Sequence, residues 1–183
     1  MALRDLSDLD CAAAARGGDR AAFGELVRRH QDALYRFVVR MVRSRDEALE
    51  IAQEAFLRAW EALPQWQPEA QFRTWLFRIA SNAALDALRR RRVVGFVPLA
   101  ETFDAPGAEP DPAKRLELKQ EIAALEASLA RLSPEHRGIL LLREVENMSY
   151  EEIGAVLGLS EGTVKSRLAR ARAALLETHG GKR

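Results

Sequence analysis

Four of the chain's seven prolines fall between residues 93 and 112 (Pro98, Pro106, Pro110 and Pro112), with Gly95 and Gly107 among them. Proline removes a backbone donor and clashes with the preceding helical turn, so neither a long helix nor a central strand can run through such a stretch. The segment 93–112 therefore reads as a linker. It divides the 183 residues into two small units, 1–92 and 113–183.

Both units carry helix signals, and neither shows an alternating β-branched run closed by a hairpin turn. Asp19 can cap a helix from Arg20 to about Arg43, with Phe23, Leu26, Val27, Leu34, Phe37, Val38 and Met41 at helical spacing. Ser44 and Glu47 predict a capping box that opens a second helix, to about Leu63. A third runs from about Ala70 to Arg92, and a short one around Asp8–Arg16 precedes them all, stopped by Gly17-Gly18. Beyond the linker, helices are expected over about Ala113–Leu132, after Ser133-Pro134, after Ser149, and from Ser160 to about Glu177. The expected fold class is all-α: two small helical domains joined by a flexible linker.

Composition excludes several classes of function. No run of about 18 apolar residues is present, so no membrane insertion is expected. The charged N-terminus is no signal peptide, and the cytoplasm is the expected compartment. A single cysteine, Cys11, precludes an internal disulfide. His30, His136 and His179 are far apart, so no metal site and no cofactor are expected. No P-loop, GxSxG or HExxH is present, and no catalytic residue is expected. The net charge of +1 conceals a pattern. Residues 61–92 hold six basic against three acidic side chains, and residues 161–183 six against two. Residues 93–135 hold four against eight, and 136–160 two against four. Two basic segments separated by acidic chain point to two places that meet a polyanion.

Residues 149–168, SYEEIGAVLGLSEGTVKSRL, have the spacing of a helix-turn-helix, with a tight turn at Gly158-Leu159. Val164, Leu168, Ala171 and Leu175 share the inner face of its second helix. Gly162, Ser166, Ala169 and Ala173 run along the outer face, flanked by Lys165, Arg167 and Arg170. Small residues allow close approach to a groove floor, and the basic ones reach phosphates or base edges. On the third helix, Gln71, Trp75, Arg78, Asn82 and Arg89 form a strip beside the core stripe, before the run Arg89–Arg92. An aromatic can stack on an unpaired base and an amide can bond its edge. Trp75 reads equally as a core side chain. On the second helix, Asp46, Glu47, Glu50, Gln53, Glu54, Leu57, Arg58 and Glu61 occupy the polar half, with Leu57 in its middle. An apolar anchor in a polar rim fits a protein partner, although single surface leucines are commonplace. A 20-residue linker reaches at most about 66–72 Å, roughly two turns of duplex at about 34 Å each. A stand-alone helix-turn-helix regulator would explain residues 149–172 but leave the Trp75–Asn82 strip and the Leu57 face without purpose.

Three segments together carry a resemblance: DEALEIAQEAFLRAW (46–60), FRTWLFRIASNAALDALRRRR (72–92) and LSPEHRGILLLREVENMSYEEIGAVLGLSEGTVKSRLARAR (132–172). In this order and spacing they resemble an extracytoplasmic-function (ECF) sigma factor of the sigma-70 family. The resemblance implies an alternative initiation subunit of bacterial RNA polymerase, monomeric and held by an anti-sigma factor. It implies contacts with the largest-subunit clamp helices through Asp46, Glu50, Gln53, Glu54 and Leu57, and with the flap of the core enzyme. Promoter DNA at the minus-ten element would be read and melted by Trp66, Gln71, Trp75, Arg78, Asn82 and Arg89, with Asn82 lining a pocket for a flipped base. The minus-thirty-five duplex would be read by Thr163, Lys165, Ser166, Arg167, Ala169, Arg170 and Arg172. The chain departs from the family pattern at Glu50, where aspartate is commoner, at Trp66, where phenylalanine is usual, and at Ala169, where some relatives carry an aromatic. These departures bear on the promoter sequence.

Overall fold

Side-chain caps set where most of the helices begin. The computed structural model describes residues 3–94 and 112–180, with side chains over 3–91 and 118–179. Ser7 and Asp10 form a reciprocal box at the start of α1 (Asp8–Arg16). The Asp19 carboxylate accepts the Ala21 and Ala22 amides at 2.9 and 3.1 Å and opens α2 (Arg20–Val42). Ser44 caps α3 (Arg45–Ala62) by accepting the Glu47 amide. The box expected there is only half formed, because the Glu47 carboxylate pairs with Arg91 instead. After a short turn, α4 spans Phe72–Val94.

The expected linker falls mostly on residues 95–111, outside the described residues. It is shortened at both ends, since Val93 and Val94 continue α4 and Pro112 is the first residue of α5 (Pro112–Arg131). Proline is well placed there, because a first-turn residue has no helical partner for its amide. Ser133 caps α6 (Pro134–Leu140), which runs on into a π-helical turn over Leu141–Val145 that periodicity did not predict. Ser149 and Glu152 close the second reciprocal box at α7 (Tyr150–Leu157), and α8 spans Glu161–Gly180. Two glycines shape the turn between α7 and α8. Gly158 has φ +67°, and a Cβ on Gly154 would stand 2.7 Å from the Leu159 carbonyl oxygen. Among the described residues the chain is all-helical.

Leu26, Leu34, Phe37, Met41, Leu63, Phe72, Leu76 and Phe77 are fully buried in the N-terminal half. Ile139, Leu142, Met148, Ile153, Val164 and Leu168 are buried in the C-terminal half. Burial of such side chains is worth about 1.5–3 kcal/mol each and supplies most of the stability. Cys11 is also buried and burial pushes its thiol pKa up, as for inert packing. The two halves pack on one another: α7 lies against α4, and α6 against α2 and α4.

Candidate functional site

Helix α3 buries Ala48, Ile51, Ala52, Ala55, Phe56 and Ala59, and this fixes the face it presents to solvent. That face carries Asp46, Glu50, Gln53 and Leu57, all exposed. Leu57 is 53% exposed. Leu49, which is not among the residues read from the sequence as the polar half, is 52% exposed. At 100° per residue it lies on the far side of Gln53 from Leu57. The face therefore has two apolar anchors astride an amide, within a carboxylate rim. Glu54 sits at its edge, half-buried and ion-paired to Arg58 at 2.7 Å. Behind Glu54 runs a groove lined by Glu50, Ile51, Arg58, Ala83, Asp86 and Arg90.

On α4, Phe72, Leu76 and Ala80 face the core, and Arg78, Asn82 and Arg89 stand exposed on the opposite side, as does Gln71 just before the helix. Trp75 is half-buried. Its ring lies 5.6 Å from Trp66 and 5.8 Å from Phe72, and Phe72 in turn lies 5.8 Å from His30. Trp66 itself is 7% exposed. It supports the Trp75 plane from beneath and has little surface to offer a base. Arg89 pairs with Asp86 at 3.1 Å. Arg91 turns inward, donating to the Val42 carbonyl at 2.7 Å and to Glu47. One member of the arginine run thus ties α4 to the ends of α2 and α3, and burial pulls its pKa down.

In the helix-turn-helix, Val164, Leu168 and Ala171 are buried, and Lys165, Ser166, Ala169, Arg170 and Arg172 are exposed. Lys165 pairs with Glu161 at 2.6 Å, and Arg172 with Glu144 at 2.6 Å. Each carboxylate raises the pKa of its partner through a hydrogen bond. Thr163 and Arg167 are half-buried at the margin of this face. Thr163 is held by Ser160 at 2.9 Å and accepts the Ser166 hydroxyl on its carbonyl at 3.0 Å. The Tyr150 ring lies beneath two cations, 5.0 Å from the Arg143 guanidinium and 5.7 Å from the Lys165 ammonium.

Residues 26–93 match the family model described as Sigma-70 region 2, and residues 122–175 match Sigma-70, region 4. The chain belongs to the sigma-70 family, as an ECF sigma factor. Such factors are alternative transcription-initiation factors. The ECF RNA polymerase sigma factor SigE of Mycolicibacterium smegmatis is 40% identical over 159 residues, 85% of this chain and 62% of that one. The RNA polymerase sigma factor CnrH of Cupriavidus metallidurans is 37% identical over 180 residues, 92% of each chain. A solved structure of CnrH in complex with the cytosolic domain of CnrY superposes with a TM-score of 0.73 at 32% identity, over 96% of this chain and 99% of that one.

In this sigma factor the three surfaces are separate, and each gathers most of the residues expected for it. Periodicity missed Leu49, because a 100° step places it on the border between two faces. It also missed Tyr150, which lies under Lys165 of α8, and Glu144, which pairs with Arg172 from the π-helical turn. No sequence signal marked that turn. Among the described residues no metal-holding group is present, and no helix is long and apolar enough to cross a membrane.

Proposed function

We propose that this sigma factor docks on core RNA polymerase, in the cytoplasm, through the α3 face formed by Asp46, Glu50, Gln53 and Leu57, with Glu54 at its edge. Residues 1–92 then act as the unit that reads and melts the minus-ten element. Trp75 offers a stacking plane, Asn82 an amide for the edge of a flipped base, and Gln71, Arg78 and Arg89 hold the strand. Trp66 positions Trp75. Residues 113–183 act as the minus-thirty-five unit, with Ser166 and Ala169 against the groove floor. Lys165, Arg170 and Arg172 reach phosphates or base edges beside them, and Thr163 and Arg167 lie at the margin. The proline-bearing segment between α4 and α5 carries the span between the elements. The anti-sigma complex of CnrH supports control of this chain by an anti-sigma partner as well.

The observation that carries this reading is the separation of surfaces. The acidic, leucine-bearing face is presented by α3 and the basic strips by α4 and α8, so polymerase and DNA are offered different helices. The experiment is transcription by core polymerase plus this chain from a two-element promoter fragment. Specific initiation is expected. Leu57→Arg places a charge in the middle of the docking face and should weaken core binding by about 3 kcal/mol, more than a hundredfold. Its circular dichroism should match that of the parent, because Leu57 is exposed. Unchanged affinity for core would refute the docking role.

A further inference from the structure

Behind the aromatic strip of α4 stands a histidine that none of the three surfaces uses. His30 on α2 is 8% exposed. Its ring lies 5.8 Å from Phe72, tilted by 43°. Phe72 meets Trp75 edge-on at 5.8 Å and Trp66 edge-on at 6.2 Å. The two indoles lie 5.6 Å apart and 31° from parallel. Four rings thus form one box, with half-buried Trp75 as its outer wall and His30 as its inner wall. Edge-to-face rings hold their relative tilt, because the positive edge of one seeks the negative face of the other. A change of plane at one wall is therefore passed to the next.

The inner wall needs an anchor of its own. The outer torsion of a histidine or phenylalanine side chain is broad, so packing sets the ring plane only loosely. A hydrogen bond at the tip of the ring fixes it. Nε2 of His30 lies 2.5 Å from one carboxylate oxygen of Asp8, the first residue of α1. The other Asp8 oxygen accepts from Arg29 at 2.9 Å. A carboxylate paired with a guanidinium only accepts, so Nε2 is the donor to it. Arg29 is held in turn by Glu25 at 2.8 Å and by the carbonyls of Leu3 and Arg4 at 3.2 and 3.1 Å. Asp8 cannot swing away without breaking that network.

Helix α1 also lies against α4 and against the short turn Leu63–Gln65 that leads into Trp66. The match to Sigma-70 region 2 begins at residue 26, so Asp8 and all of α1 lie outside it. The helix contributes no residue to the docking face or to either DNA strip. Its first side chain nevertheless ends on the ring behind the stacking plane.

We propose that Asp8 and His30 are positioning residues for the minus-ten reader. Asp8 fixes the plane of the His30 ring, His30 steadies Phe72, and Phe72 with Trp66 sets the angle at which Trp75 meets an unpaired base. This deepens the base-reading proposal for α4 and rests on it for its functional meaning. Neither residue touches DNA, since His30 is buried and Asp8 is committed to two donors.

The test begins with circular dichroism of the full chain. The Trp66 and Trp75 rings are close enough for their transitions to couple, and Trp75→Phe identifies the resulting couplet by removing it. The couplet should weaken in Asp8→Ala and in His30→Ala. It should be partly restored in His30→Phe, which returns a ring without its latch. Asp8→Ala combined with His30→Ala should be no worse than His30→Ala, because the carboxylate acts through the imidazole. Holoenzyme carrying either single alanine variant should bind single-stranded minus-ten DNA about three- to tenfold more weakly, part of the worth of a stacking plane. Binding to the minus-thirty-five duplex should not change. Thermal unfolding is followed alongside, and if His30→Ala does not fold, Asp8→Ala and His30→Phe carry the comparison. An unchanged couplet in folded Asp8→Ala, additive losses in the double variant, or equal losses at both promoter elements would overturn the proposal. So would a weakened couplet with full minus-ten affinity, where Trp75→Ala loses that affinity. No minus-ten loss in Trp75→Ala would remove the base-reading proposal instead, and the couplet alone would then decide whether Asp8 and His30 position the ring.

Discussion

The exposed strips of α4 and α8 differ in what surrounds their cations. On α4 a single broad ring, Trp75, rests on Trp66 and Phe72, with long polar side chains beside it. On α8 the ridge is small, Ser166 and Ala169, and Lys165 and Arg172 at its margin are each already paired with a carboxylate. A flat, supported ring suits an unpaired base, whose face is its most accessible surface. A narrow ridge with charges at the sides suits the floor and walls of a duplex groove. The two helices share a basic character that net charge reports, yet differ in shape, which net charge cannot report.

The sharpest way to break this comparison is Trp75→Ala. Losing one stacking plane should cost about 1–3 kcal/mol on single-stranded minus-ten DNA. Upstream duplex binding should be unaffected, with fluorescence anisotropy of the holoenzyme on the two DNAs as the measurement. Asn82→Ala should follow the same pattern, slowing open-complex formation more than upstream binding. Equal losses at both elements, for either variant, would mean that the strip is not a base reader. Arg170→Ala should act in the opposite sense. It should weaken upstream binding and lower the salt dependence of that binding by about one unit of slope, with minus-ten melting intact. Glu161→Gln should release Lys165 from its partner and strengthen upstream binding by about twofold, consistent with the small worth of an exposed ion pair. A loss of affinity there would show that Glu161 orients Lys165 and does not compete for it.

The smallest expected effect sets two carboxylates against each other. Hydrogen bonds from Arg28 and Arg29 hold the Glu25 carboxyl at about 2, well below its ordinary 4.5. A depressed pKa gives a contribution that is present above 4.5 and lost as pH falls toward 2. Glu25→Gln should therefore flatten the acid limb of urea-unfolding stability between those values. Glu146 moves the other way. Burial raises its pKa, against the opposing pull of Arg73, Arg36 and Arg40. Its packing is thus favoured below the ordinary carboxylate value and weakened as pH rises through the raised one.

Much of the fold was legible because caps are local. Asp19, Ser133, Ser149 and Ser160 each reach an amide two or three residues on, a geometry that the residue types nearly dictate. The strips on α4 and α8 were legible for a related reason, since a helix fixes which side chains share a face. Where a side chain had distant alternatives, the local reading failed. Glu47 left its capping box for Arg91, 44 residues away, and Trp66 sank beneath Trp75. Leu49 stayed outside because the neighbours of α3 covered the adjacent arc.

The sequence by itself determined most of the helices, most of their caps, and which residues share a helix face. Those follow from backbone sterics and a repeat of 3.6 residues per turn. Tertiary structure alone decided that Arg137, anonymous in a short helix, bridges the ends of α2 and α5. It likewise decided that Arg73 meets Glu146 73 residues further along the chain. Both outcomes depend on where two separately capped units come to rest against each other, and no local rule carries that information across the linker.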